Sequence, residues 1–141
     1  MKKQLSDKEK EVLLILDQSS KVGAKTLLRV LHHYKSDVSK VLTDPERNLS
    51  KLFISSSLEG ILESRRNRLE KGIFEKNNIQ TIFYGEKEYS KLLSEIYDPP
   101  VILYCRGNIN LLNTISIAIV GSRKYTGYSK LALEKIIPQL V

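Results

Sequence analysis

A short apolar run ending in a glycine turn leaves this chain few folds to choose from: residues 115 to 128 read ISIAIVGSRKYTGY. Ile115, Ile117, Ala118, Ile119 and Val120 are apolar, with Ser116 the one polar interruption, the pattern of a strand buried on both faces of a parallel sheet. Gly121 lets the backbone turn, and Thr126 is placed to cap a helix starting near Gly127. The unpaired N–H groups and the positive dipole end of such a helix face the loop, where Arg123 and Lys124 add full charges. The combination suits an anion, phosphate above all. An ordinary strand-to-helix junction with solvated cations has the same local pattern.

Two familiar phosphate motifs are absent from this loop. A dinucleotide fingerprint needs G-x-G-x-x-G, but the loop reads GSRKYTG and lacks the second glycine that lets the backbone approach a pyrophosphate. A P-loop needs Gly-Lys-Ser/Thr where this chain has Gly127-Tyr128-Ser129. Acid-base chemistry at the loop would need a positioned carboxylate, and between Ile115 and Gln139 the one acid is Glu134, more than a turn into the helix.

Residues 97–107, YDPPVILYCRG, followed shortly by IAIVGSRKYTGY, resemble the start of the DNA-processing protein A family, also called DprA or Smf. The likeness extends upstream through IFYGEKEYSKLL at 82–93 and downstream through EKIIPQLV at 134–141, which resembles the family's first Rossmann helix. Ser129 stands where the family more often has glycine. The resemblance implies a bacterial cytoplasmic protein, non-enzymatic and without a cofactor. Such a protein binds single-stranded DNA during natural transformation, loads the RecA recombinase onto it, and forms a homodimer when complete. It implies an extended Rossmann fold whose Gly121, Ser122 and Arg123 belong to the DNA-contacting surface. The charge of Lys124 adds that residue to the phosphate-binding set, and Tyr125 and Tyr128 are candidates for base stacking. Two other readings stay open: a Rossmann-type nucleotide-processing enzyme related to the cytokinin-activating phosphoribohydrolases, and an isolated helical interaction module.

Upstream of the resemblance the pattern is helical. Ser6 and Glu9 form a capping box that predicts a buried helix over 7–18. A second helix is expected over 24–34, with Leu27, Leu28, Leu31 and Tyr34 on one stripe. The SSKVGAK between them is similar to a phosphate-gripping helix-hairpin-helix turn, except that Lys21 replaces its first glycine. The alternative is a tight helix junction enabled by Gly23. Short helices are expected over 36–42 and 48–53, with Asp44-Pro45 as a turn and helix-start signal between them. Ser56 and Glu59 make a second capping box opening a long helix to about Asn77, striped by Leu58, Ile61, Leu62, Arg65, Leu69 and Ile73, with Gly72 its weak point.

The expected fold class is therefore α plus α/β. A helical bundle over 1–78, like the sterile-alpha-motif-type domain that many family members place first, precedes the beginning of a Rossmann-like DNA-binding domain over 79–141. In that second part IQTIFY, VILYC and SIAIV read as strands, Leu133, Ile136, Ile137 and Leu140 as a sheet-facing stripe, and Pro138 as a helix breaker. A doubly wound sheet needs several more βαβ units, so the expectation is a truncated chain.

Hydrophobic content of 41% and charge of 28% describe a folded globular chain. The net charge of +7 suits a polyanionic partner, although the surplus is spread over both halves. The densest cationic cluster, Arg65, Arg66, Arg68 and Lys71, is offset by Glu70 and Glu75 at i+4 of Arg66 and Lys71. Adjacent His32 and His33 point to different helix faces and suit a helix C-terminus better than a metal. MKKQLSDKEK lacks the apolar core of a signal peptide, and Val12–Leu16 is far short of the ~18 residues that cross a bilayer, so a cytoplasmic protein without a membrane span is expected. With one cysteine, Cys105, neither an intrachain disulfide nor a thiolate zinc cluster can form; inside VILYC it is expected as a small buried hydrophobe.

Overall fold

Five consecutive buried residues, Val12 to Leu16, make the first helix the axis of the molecule. The computed structural model describes residues 4–70 and 72–140. Helix α1 (Asp7–Asp17) starts with both halves of the expected capping box: Ser6 Oγ accepts from Glu9 N at 3.3 Å, and Glu9 Oε2 accepts from Ser6 N at 2.9 Å. Glu9 is itself buried, and its second oxygen, Oε1, accepts from Val38 N at 3.0 Å. One carboxylate thus pins the start of α1 to a 3-10 turn at Val38–Leu42, which replaces the helix expected over 36–42. Asp37 tightens that turn by accepting from Ser39 N and Oγ at 3.0 and 2.6 Å.

Helix α2 (Ala24–His33) buries Leu27 and Val30, with Tyr34 just beyond its end. Helix α3 (Glu46–Leu52) starts directly after the Asp44-Pro45 signal, two residues ahead of the expected 48, with Pro45 at the cap position. Asp44 gathers the surrounding chain. Its carboxylate accepts from Tyr34 Oη at 2.5 Å and Asn48 Nδ2 at 2.8 Å, and its carbonyl accepts from the Arg65 guanidinium. Burial, then the bond to Asp44, pushes the Tyr34 phenol well above its ordinary pKa; the same bond, then the Asn48 amide, holds Asp44 below its own.

The long helix expected over 56–77 is two helices, α4 (Ser55–Ser64) and α5 (Ile73–Lys76). Ile54 occupies the cap position of α4 and the Ser56–Glu59 box does not form. The neighbouring Ser57 is buried, its Oγ 2.9 Å from Thr26 Oγ1. Ser64 ends α4 while its hydroxyl donates to the Gly60 carbonyl at 2.7 Å, and Gly72 adopts φ 74°, a left-handed conformation that no helix continues through. The expected Arg66–Glu70 pair is consequently lost; Glu70 lies 3.8 Å from Lys76 instead. The expected Lys71–Glu75 pair falls outside the described residues.

Gly60 packs α4 onto the 19–22 turn: a Cβ there would lie 2.9 Å from each of Lys21 Cβ, Ser19 Oγ and Val22 Cγ2. Gly23, the glycine expected to permit this junction, has φ −98° and open space around its Cβ direction, so neither conformation nor room requires it.

Strands β1 (Gln80–Phe83) and β2 (Ile102–Cys105) pair antiparallel, from Gln80 opposite Cys105 to Phe83 opposite Ile102. Their connection carries the single-turn helix α6 (Lys91–Ser94) and is fixed by Tyr89 Oη donating to the Pro100 carbonyl at 2.6 Å. Phe83, Val101 and Ile102 join the same apolar cluster as Leu13, Leu16, Leu27 and Ile61. Polar links reinforce the join: Lys10 Nζ sits 2.6 Å from Glu86 Oε1, and Tyr104 Oη donates to Asp17 at 2.7 Å. The architecture is mixed α and β. Cys105 is half-buried rather than buried, because it ends a two-stranded sheet.

Beyond a 3-10 turn at Ile109–Asn113, the expected third strand is absent among the described residues. Residues 115–120 pair with no strand and are exposed, Val120 to 93%. A strand exists only through hydrogen bonds to a neighbour, and β1 and β2 bond only each other. Helix α7 (Gly127–Ile136) does form and passes into a 3-10 turn, Ile137–Gln139, at Pro138. Its stripe of Leu133, Ile136, Ile137 and Leu140 is exposed instead of sheet-facing, for want of a sheet to cover it.

Candidate nucleic-acid interface

Local sequence alone positions the Gly121–Lys124 turn. Thr126 caps α7, its Oγ1 accepting from Ser129 N at 3.4 Å and its carbonyl from Lys130 N at 3.2 Å. Within the turn, Ser122 Oγ accepts from Lys124 N at 3.2 Å, so that amide is already engaged. The N–H groups of Gly127 and Tyr128, at the helix start, have no intrahelical acceptor. Gly121, Ser122, Arg123, Lys124, Tyr125 and Tyr128 are all exposed, the two rings to 67% and 81%. They share one short stretch of chain, and Tyr125 also lines an open hollow of about 460 Å³ with Lys130, Leu133, Glu134, Ile137 and Pro138. Among the described residues no carboxylate pairs with Arg123 or Lys124, whereas Lys130, one turn into α7, lies 3.8 Å from Glu134. The turn therefore offers positive charge, amide donors and open aromatic faces.

The other cationic candidates are arranged differently. Lys21 lies 2.7 Å from Glu63 and 2.9 Å from Glu59, and these bonds, Glu63's first, raise its pKa. The 19–22 turn therefore faces two carboxylates, an unfavourable setting for a phosphate. Arg65 is drawn to the Asp44 carbonyl, with its Nε buried and unpartnered, and Arg68 donates to the Asn67 carbonyl. His32 and His33 are exposed at the end of α2, and among the described residues no three metal-ligating side chains come together. No described helix is long and apolar enough to cross a membrane.

Sequence reasoning missed a second basic surface. Lys25, Arg29 and His32 follow one another at i, i+4 and i+7 along the exposed face of α2, a spacing readable beforehand, but the tyrosines opposite them come from residues 84 and 97 and only the fold brings them near.

Residues 80–141 match the family model for DNA recombination-mediator protein A. The chain is similar to Protein Smf of Borreliella burgdorferi, 26% identical over 114 residues that cover 79% of this chain and 36% of the relative. It is similar to DNA processing protein DprA of Bacillus subtilis, 28% identical over 116 residues, 79% of this chain and 39% of that one. A stretch of 48 residues, 34% of the chain, is 46% identical to 17% of the Streptococcus pneumoniae DNA processing protein DprA. The chain thus spans little more than a third of the curated relatives it matches over most of its length. No solved structure matches it significantly.

Proposed function

We propose a function from the premise that this chain belongs, through residues 80–141, to the DNA recombination-mediator protein A (DprA/Smf) family: it supplies the first part of a protein that binds single-stranded DNA and loads RecA onto it during DNA uptake. The observation that carries the reading is the pairing of Arg123 and Lys124, exposed and without an acidic partner among the described residues, with the capped start of α7. In this proposal Gly121, Ser122, Arg123 and Lys124 hold backbone phosphate and Tyr125 and Tyr128 stack bases. The DNA-binding part is the Rossmann-like unit over 79–141, whose first two strands pack on the helical unit over 1–78. The complete protein acts as a cytoplasmic homodimer. No catalytic step is assigned.

Phosphate contacts give affinity without sequence preference. Replacing Arg123 and Lys124 together by alanine should weaken binding of mixed single-stranded oligonucleotides by a similar factor for each sequence. In a salt titration, the slope of log K against log salt should flatten by about 0.7 for each phosphate no longer neutralised. An unchanged slope refutes the assignment.

A further inference from the structure

We propose that the crevice between α2 and the turn following α6 is a second contact for single-stranded DNA, in which Tyr97 stacks a base while Lys25 and Arg29 hold the flanking phosphates. The proposal rests on single-stranded DNA being the ligand of the Gly121–Lys124 turn, but it uses none of the same residues. The crevice, of about 370 Å³, is lined on one side by Leu28, Arg29 and His32 of α2 and on the other by Tyr84, Ile96 and Tyr97.

Its chemistry differs from that of an ordinary solvated face. Tyr97 is 92% exposed, far more than a ring with a packing role would be, and Ile96 beside it is 48% exposed. Lys25 Nζ stands 5.8 Å from the Tyr97 ring centroid, so a cation already sits at the platform. Tyr84 is braced edge-on against Tyr89, with centroids 5.5 Å apart, and Tyr89 is anchored through its hydroxyl to Pro100. Arg29 spends one N–H on the Leu52 carbonyl at 2.7 Å, which fixes the guanidinium on the exposed face of α2 and leaves further donors. His32 completes the stripe one turn on.

The acid paired at this rim is Asp98, 3.2 Å from Lys25, and the exposed Glu95 lies in the same turn, between the lining residues Ser94 and Ile96. Both partners are solvent-accessible, so the pair is weak and exchangeable for a phosphate. Cations in a row beside an exposed aromatic face are what sequence-tolerant binding of a single strand requires, because every base has a face to stack and every linkage a charge to neutralise. A duplex offers no free base faces along its length.

The test uses fluorescence anisotropy of the 141-residue chain with labelled oligothymidylate and with a duplex of equal length. Tyr97→Ala should weaken oligothymidylate binding at least about fivefold, Tyr97→Phe should restore it, and neither should alter duplex binding. Lys25→Ala should flatten the salt slope by about 0.7. Unchanged oligothymidylate affinity in Tyr97→Ala overturns the proposal, and so does an equal loss on the duplex. It is equally overturned if sedimentation shows that the substitution abolishes self-association while leaving DNA affinity intact, since the crevice is then an interface between copies. If Tyr97→Ala weakens binding while the Arg123/Lys124 double variant does not, the crevice stands and the turn falls. The reverse result removes the crevice alone, and a chain that binds no oligonucleotide removes both.

Discussion

Residues 6–105 are poorer in apolar side chains than residues 115–140, yet it is the first stretch that buries them. In the first stretch every helix that carries an apolar stripe finds a partner, and Leu13, Leu16, Val30, Ile61 and Phe83 are sealed from solvent. In the second, Ile117, Ile119, Leu131 and Ile136 stand at least half exposed around a helix that is correctly capped and correctly ended. Local signals mark where a helix begins and ends; an apolar pattern states which face needs covering and is silent about what covers it. A strand is more demanding still, since its hydrogen bonds are made to another segment.

The contrast is broken most readily by paired substitutions. Phe83→Ala should cost about 3–5 kcal/mol in a urea melt, because the ring lies in the shared core beneath the Lys10 ammonium, 5.5 Å from its centroid. Ile117→Ala, on the exposed segment, should stay within about 0.5 kcal/mol. Comparable destabilisation at the two sites would mean that residues 115–140 are packed after all.

A smaller effect separates two glycines within the packed region. Gly60→Ala forces a Cβ against Lys21 Cβ and the buried Val22, and should cost about 1–3 kcal/mol. Gly23→Ala meets open space and should change stability by no more than about 0.5 kcal/mol. Equal thermal denaturation midpoints for the two variants would show that α4 does not rest on the 19–22 turn.

The smallest effect is in acid. Asp44 and Asp37 are held below their ordinary pKa of 3.8, Asp44 by the Tyr34 hydroxyl first and Asp37 by the Ser39 hydroxyl first. A depressed folded-state value means that each contributes stability in full above pH ~4 and loses it as pH falls through the lower folded value. Asp44→Asn should therefore flatten the acid limb of a stability-against-pH curve and leave its neutral slope unchanged. An acid limb as steep as the parent's would place the titration elsewhere.

How far the sequence could be read follows the same line. The Ser6–Glu9 box and the Thr126 cap involve residues three apart and were legible, as was the disruption at Pro138. The break after Ser64 was legible only in part: Gly72 was the weak point of the expected helix and does turn left-handed, but Leu69, Ile73 and Phe74 keep an apolar rhythm across the gap, and the Ser64 bond to Gly60 shows only in the fold. Gly60 escaped notice since its reason lies some forty residues away, at Ser19, Lys21 and Val22. The Gly121–Lys124 turn was found from its own residues, and the crevice at Tyr97 was not, being assembled from three separate stretches of chain.

Glu9 shows how little freedom such long-range assembly leaves. Its two oxygens face N–H and O–H groups from opposite sides, those of Ser6 on Oε2 and that of Val38 on Oε1. Glutamine has the same shape, yet one of its two terminal atoms is an NH2, so whichever way the amide is turned a donor confronts a donor at one end. Aspartate is one methylene too short to span both. Neither near relative keeps both contacts, so two separate stretches of chain constrain a residue that touches neither proposed DNA contact.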